Sequence, residues 1–417
     1  MAAPSFHIAA FDLSGALTWT NAPVPGICTV EMADALGGPW TPIQNAFCTN
    51  STGKLTVPMD EGTRFHRLRA VDVSATPPGF TNLVYSYGIL ETIAGTGLGR
   101  SDGVSYWQTG YEGGLAPAAA LSRPHFAMAD RAGNVYIADK TSHSVLRVAP
   151  DGTIHTHAGT HVGGLNGEGP ATATSLQLNS PNALLVRADG TVYVLDTGNA
   201  RVRRVDTNGM MNTMFYAKND PSTPLDGGRC LWVKEDESLA CFGNGDRIRT
   251  WTPSDGLQTL ASGFTELGTF YVEPSGSLVV ADRGAGYVYR VSANGSRVVM
   301  AGNGTTSGGG DGFPALQTGL YGPRGVWPVP TGGYLLLLHD GAQLWYVDSA
   351  GIMRLLVNGL GGSVFVHGGD GQFFFATEQF NIGEGRSVAM DYAGNIILCE
   401  SDYGFIRRIR FERLSNN

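Results

Sequence analysis

From Leu90 to Phe411 one pattern returns six times: a Pro or Gly entry, an apolar run, a tight polar turn, a second apolar run ending in an acid, a loop, and a basic–apolar run. The clearest copies are PHFAMADRAGNVYIADKTSHSVLRVAPDGTIHTHAG from Pro124 and PNALLVRADGTVYVLDTGNARVRRVDTNGMMNTMF from Pro181. A unit this short cannot bury its own apolar surface, so neighbouring units must pack on one another, and repetition governs the architecture. Turns such as RAG, ADG, PSG and YAG between the first two runs carry hairpin chemistry. Runs such as VYIA and LVVA are apolar at successive positions, which implies sheets covered on both faces. Four-stranded sheets packed face to face around an axis meet that demand. The expected fold is all-β, with a six-bladed β-propeller over residues 89–413. The sixth unit lacks a fourth strand, while the spare run ILETIAGTG (Ile89 to Gly97) precedes the first unit. Residues 89–95 are therefore expected to complete the last blade and remove an exposed sheet edge.

A chain of 417 residues suits more than one domain. Residues 5–75 have a different texture, with alternating apolar runs (FHIAAFDLSGALTWT, GICTVEMADAL, WTPIQNAF, GKLTVPM, RFHRLRAVDV) broken by Gly, Pro and Asn. They are expected to form a small β-sandwich. Residues 76–88 form the linker, and the paired prolines of SATPPGFTN favour an extended conformation there. The net charge of −8 argues against a nucleic-acid binder, which needs a basic surface. No apolar stretch approaches the ~18 residues of a membrane span, so no membrane insertion is expected. Met1-Ala2-Ala3-Pro4 reads as a start placed on a mature terminus, which implies a secreted protein whose signal peptide has been removed. Among the five cysteines, Cys28–Cys48 and Cys230–Cys241 occupy facing positions that admit disulfides, with reduced core thiols as the alternative.

The units NVYIADKTSHSVLRVAPDGTI and TVYVLDTGNARVRRVDTNG, with the long connection AGTHVGGLNGEGPATATSLQLNSP, resemble the NHL repeat family over about 325 residues. That resemblance implies a six-bladed propeller whose long connections share one face, usually the partner face, and implies no single activity. The N-terminal segment resembles the fibronectin-like sandwiches found beside repeat domains in secreted bacterial proteins.

Where the copies differ, a site emerges. The residue entering each first strand reads His125, Asn182, Arg229, Gly268, Arg324 and Arg386, which gathers three arginines and a histidine at one mouth of the ring. Guanidinium groups grip carboxylate, sulfate or phosphate bidentately, which points to an anion site. The competing reading is a structural ion network in which Asp196, Asp282 or Asp340 pairs with Arg229 and Arg324. The long connections carry aromatics (Tyr106, Trp107, Tyr111, Phe373, Phe374, Phe375 and Phe380) that either wall a cleft or form the loops' own small cores. They also share an acid–Gly pair: Asp102-Gly103, Glu168-Gly169, Asp311-Gly312 and Asp370-Gly371. These pairs favour loop-organising turns, with calcium ligation as the alternative cofactor reading. His161, His339 and His367 lie on or near the same face and could join His125 in a zinc site, without a spacing signature. No nucleophile, phosphate-loop or metalloprotease motif occurs. Together these features point to a secreted, non-enzymatic binding or scaffold protein that engages a protein or anionic glycan. The alternatives are a lyase on a uronate polysaccharide, with His125 or Tyr106 as base, and a self-associating structural protein.

Overall fold

The computed structural model describes residues 5–59, 64–98, 103–359, 370–372, 382–383 and 385–412. It is nearly all β, and its repeats form six small antiparallel sheets. Sheet one comprises Pro124–Ala129, Val135–Asp139, Ser144–Val148 and Ile154–Ala158. Sheet two comprises Pro181–Val186, Val192–Asp196, Arg201–Val205 and Met210–Tyr216, with the short Ala171–Thr172 strand outside the last. Sheet three comprises Arg229–Val233, Ala240–Asn244, Arg247–Thr252 and Gly256–Ala261. Sheet four comprises Leu267–Val272, Leu278–Asp282, Tyr287–Val291 and Arg297–Ala301. Sheet five comprises Pro323–Pro328, Tyr334–Leu338, Gln343–Val347 and Met353–Asn358.

Sheet six comprises Gly385–Met390, Ile396–Glu400 and Phe405–Ile409, and its fourth strand is Leu90–Ala94 from before the first repeat. Ile409 pairs with Leu90 and Ile406 with Ala94, so the spare run closes the last sheet as expected. The first strands of successive sheets touch in order, and that of sheet six returns to that of sheet one. This is a propeller-like ring. Its second strands are buried at every position, and in Val135–Asp139 and Leu278–Asp282 every residue before the closing acid is apolar, because a sheet packs on each of their faces.

Before the ring, Ala16–Thr20 lies between His7–Phe11 and Gly53–Thr56, and Gly26–Ala33 lies between Thr41–Cys48 and Phe65–Asp72. Leu17 and Trp19 of the first sheet share a small core with Cys28, Val30 and Cys48 of the second. The connection that follows departs from expectation. Instead of running extended, it forms the helix Gly79–Tyr85. Phe80, Leu83, Val84 and Tyr87 have helical spacing and pack into the same core as Leu398, Ile409 and Phe411 of the ring. Burial of that stripe outweighs the extended preference set by the prolines.

Phe411 is the centre of this joint. Its ring stacks on Phe47 at a centroid distance of 4.4 Å and meets Tyr87 at 5.0 Å. Phe411→Ala is expected to cost about 3–5 kcal/mol, because a buried aromatic is replaced by a cavity shared by both parts of the chain. A urea-unfolding midpoint within error of wild type would show that the joint contributes nothing.

Candidate functional site

A bulge in the first strand of each sheet builds the mouth of the ring. Pairing skips a residue between Pro124 and Phe126, between Pro181 and Ala183, between Pro323 and Gly325, and between Gly385 and Ser387. The residues left out of the ladder are His125, Asn182, Arg324 and Arg386. A bulge turns its extra side chain away from the pleat, and here the four turn toward one another. Sheet three departs from the aligned reading. Its bulged residue is Cys230, held at φ 48°, while Arg229 stands one step earlier, paired with Gly243. Arg229 enters the cluster from a different position than its counterparts.

His125 and Asn182 form one hydrogen-bonded unit. Asn182 Nδ2 donates to the carbonyl of Gly228, so its Oδ1 faces His125 Nδ1 and accepts from it. That leaves Nε2 as the unprotonated ring nitrogen. It is buried and has no hydrogen-bond partner among the described residues. Burial, then the charges of Arg386, Arg229, Lys140 and Arg324, hold the imidazole well below its ordinary pKa, so it is neutral.

The arginines are unequally neutralised. Arg324 Nη1 meets Glu266 Oε1 at 2.7 Å, and its Nη2 is buried without a partner. Arg386 Nη2 meets Asp402 Oδ1 at 3.1 Å, and its Nε is likewise unpartnered. Half-buried Arg229 makes no ion pair among the described residues. Burial, then Arg324 and Arg386, pull its pKa down to about 9; burial and Arg386 bring Arg324 to about 10. Lys140 falls to about 8 through burial and its neighbours Arg123, Arg229 and Arg386. Burial would raise Glu266, but Arg324 and Arg283 outweigh it and hold the carboxyl near 2. Arg123 pairs with Asp402, and Arg283 pairs with both Glu266 and Asp340. Among the described residues, the three carboxylates Glu266, Asp402 and Asp340 lie beside these six cations. The acids expected to neutralise Arg229 and Arg324 are engaged elsewhere: Asp196 with Arg203, Asp282 with backbone N–H groups, and Asp340 with Arg283.

The acids that end the second strands anchor loops. Asp139, Asp196, Asp282 and Glu400 accept the N–H of Ser122, Asn179, Thr265 and Gly383, each 17 residues earlier. In sheet three Asn244 takes over, accepting the N–H of Asp226. Asp196 and Glu400 also receive the fully buried Arg203 and Arg407, each at 3.2 Å. Sequence reading missed both arginines, although each stands seven residues after its acid. Asp139 has Leu146 at the matching place and no such partner, and burial lifts its carboxyl to about 7. Because the folded pKa exceeds the unfolded value of ~4, this group's stabilising contribution is full below pH ~4 and is lost as pH rises to about 7. Asp139→Asn is expected to remove that slope and to be more stable than wild type at pH 8, on the order of a few kcal/mol. Urea denaturation at pH 5 and pH 8 measures it; an unchanged pH slope in the variant would refute the assignment.

The acid–Gly pairs clip each long loop to the outer strand of the sheet it enters. Glu168 binds Arg201 and Thr213, Asp311 accepts the N–H of Leu355, and Asp370 binds Thr92 and Arg407. They act as cross-links more than as local turns. In the first loop Glu112-Gly113 plays this role, binding Thr156. Asp102, Phe373, Phe374, Phe375, Phe380 and His367 lie outside the described residues. Trp107 stacks on His161 at 4.6 Å and meets Tyr111 edge-on at 5.7 Å, so these aromatics knit two loops together. Tyr106 contributes its backbone N–H to Ser122 Oγ. No group of three or more His, Cys, Asp or Glu side chains that could hold a metal occurs among the described residues.

All five cysteines are buried free thiols, contrary to the disulfide expectation. Cys28 stands opposite Ala46 and Cys241 opposite Trp232, so each presumed partner is offset along the ladder. Cys230 instead donates to the Phe270 carbonyl at 3.1 Å. At the far end of the same strands, Trp232, Tyr271, Trp327 and Tyr392 help line an apolar cavity of about 290 Å³.

No family model and no curated protein matches the chain. Solved structures do resemble it. A protein of unknown function from Bacteroides thetaiotaomicron VPI-5482 aligns with a TM-score of 0.58 at 13% identity, covering 98% of each chain. An auxiliary nutrient binding protein from Bacteroides ovatus ATCC 8483 aligns at 0.56 and 13% identity, also over 98% of each. Another of that description from Bacteroides thetaiotaomicron VPI-5482 gives 0.55 and 12% over the same coverage. These are β-propeller-like proteins, and the likeness is one of fold. It extends over nearly the whole chain and so takes in the N-terminal unit.

Proposed function

We propose that this is a secreted, non-enzymatic binding protein: a six-bladed NHL-type propeller (89–413) joined through residues 76–88 to a fibronectin-like sandwich (5–75). The propeller mouth takes an anionic group of a glycan or protein partner. One observation carries the reading. Arg229 is half-buried with no ion pair among the described residues, beside Arg324 and Arg386, in a protein of net charge −8. A fold that keeps an uncompensated guanidinium among like charges gives up stability, which a bound anion restores. The description of the Bacteroides ovatus protein as an auxiliary nutrient binding protein is in keeping with this.

A lyase acting on uronate polymers is the second reading. The observation favouring it is the unprotonated Nε2 of His125 beside cations that would neutralise a carboxylate. Incubation with a polyuronate that yields no unsaturated sugar ends removes it. The binding reading is tested by titrating a polyuronate and a neutral polysaccharide of similar length into wild type and Arg229→Gln. Saturable, salt-sensitive binding of the anionic polymer alone, weakened at least tenfold in the variant, is expected. Equal affinity for both polymers would refute it.

A further inference from the structure

The buried polar atoms at the mouth specify more than charge. Three unpartnered atoms belong to side chains at most 9% exposed: His125 Nε2, Arg324 Nη2 and Arg386 Nε. Burying such atoms without partners is costly, and a ligand group that satisfies them offsets that cost. Two of the three are donors on cations and call for a negatively charged acceptor. The third is of the opposite kind. Asn182 cannot turn its amide without setting a donor against His125 Nδ1–H and an oxygen against the Gly228 carbonyl. The tautomer is therefore fixed, and Nε2 offers a lone pair. Protonating it would place one more positive charge, buried, beside Arg386, Arg229, Lys140 and Arg324.

We infer that the mouth binds a hydroxycarboxylate, whose carboxylate lies between the arginines while an adjacent hydroxyl donates to His125 Nε2. The inference rests on the anion-site reading above and narrows it. Sulfate, fully ionised near neutral pH, satisfies the arginines but has no proton for Nε2. A carboxylate without hydroxyls leaves Nε2 as it was. Arg229, Arg123 and Lys140 are partly exposed, so the cluster reaches solvent and a ligand can enter from that side. A site that hydrogen-bonds a ligand hydroxyl strongly rejects the analogue lacking it, because the buried partner is then stranded.

The test compares D-glucuronate, cyclohexanecarboxylate and sulfate by titration calorimetry on the full chain. The first two share a charge and a six-membered ring and differ in their hydroxyls. Glucuronate is expected to bind at least tenfold more tightly than cyclohexanecarboxylate, and His125→Phe is expected to bring the two within about threefold. If both carboxylates and sulfate bind wild type with similar affinity, the anion site stands and the hydroxyl assignment fails. If the glucuronate preference persists in a folded His125→Phe, the acceptor is another group and the inference is overturned. If none of the three binds, both readings fall together. The wild-type comparison decides the matter even if His125→Phe does not fold.

Discussion

Arg203→Met is expected to destabilise the protein by about 3–5 kcal/mol. The guanidinium is fully buried, hydrogen-bonds Asp196 Oδ2 at 3.2 Å, Thr213 Oγ1 at 2.7 Å and the Gly167 carbonyl at 3.1 Å, and lies 3.6 Å from Glu168 Oε2. Methionine fills most of the volume, so the cost is chiefly electrostatic. Among the described residues Asp196 would be left with Asn199 and the Asn179 N–H as donors in an apolar setting, and must either hold its charge without a counter-ion or take up a proton. Burial already lifts its carboxyl to about 6 with Arg203 in place. Adding Asp196→Asn should therefore recover part of the loss, which a double-mutant cycle of urea midpoints measures. A single substitution costing under about 1 kcal/mol would mean that Asp196 is satisfied without its arginine.

Arg229→Gln is expected to move stability the other way. The wild-type guanidinium has no carboxylate partner among the described residues, and Arg324 and Arg386 both oppose its charge. Its pKa is about 9, against an unfolded value above 12. The folded state therefore disfavours the charge, and this penalty is present at pH 7 and fades only as pH rises through about 9. Glutamine keeps a polar tip and removes the repulsion, so thermal stability should rise by roughly 1 kcal/mol while anion affinity falls at least tenfold. The two changes separate this side chain from Arg203. On the proposed anion-site reading, Arg203 holds the fold together, whereas Arg229 weakens it and grips the ligand. A variant that loses stability along with binding would put Arg229 in the structural class.

The repeat pattern made much of this legible in advance. Successive apolar residues in runs such as VYIA require cover on both faces, and the unmatched ILETIAGTG run could only complete the unit lacking a strand. What escaped depended on single-residue displacements and on contacts between distant segments. The bulge in sheet three falls on Cys230, so aligning Arg229 with His125 is off by one, and no composition signal reports a bulge. Glu112 was hidden because Asp102-Gly103 also offers an acid–Gly pair. The spacing could have decided it: Glu112 and Asp311 each stand 12 residues before the proline opening the next strand (Pro124 and Pro323). The helix Gly79–Tyr85 was legible in the spacing of Phe80, Leu83, Val84 and Tyr87, but the adjacent prolines carried more weight in the reading. The mouth arginines were legible as a group. Their individual partners were not, because Glu266 and Asp402 come from loops whose paths the repeat does not dictate.

The most direct test of the arginine mouth is calorimetric titration of D-glucuronate into wild type and Arg229→Gln, with the unfolding temperature of each protein measured alongside. Saturable one-to-one binding by wild type, at least tenfold weaker in a variant that unfolds at a higher temperature, is the result predicted. Equal binding by both proteins, or a variant that unfolds at a lower temperature, would contradict it.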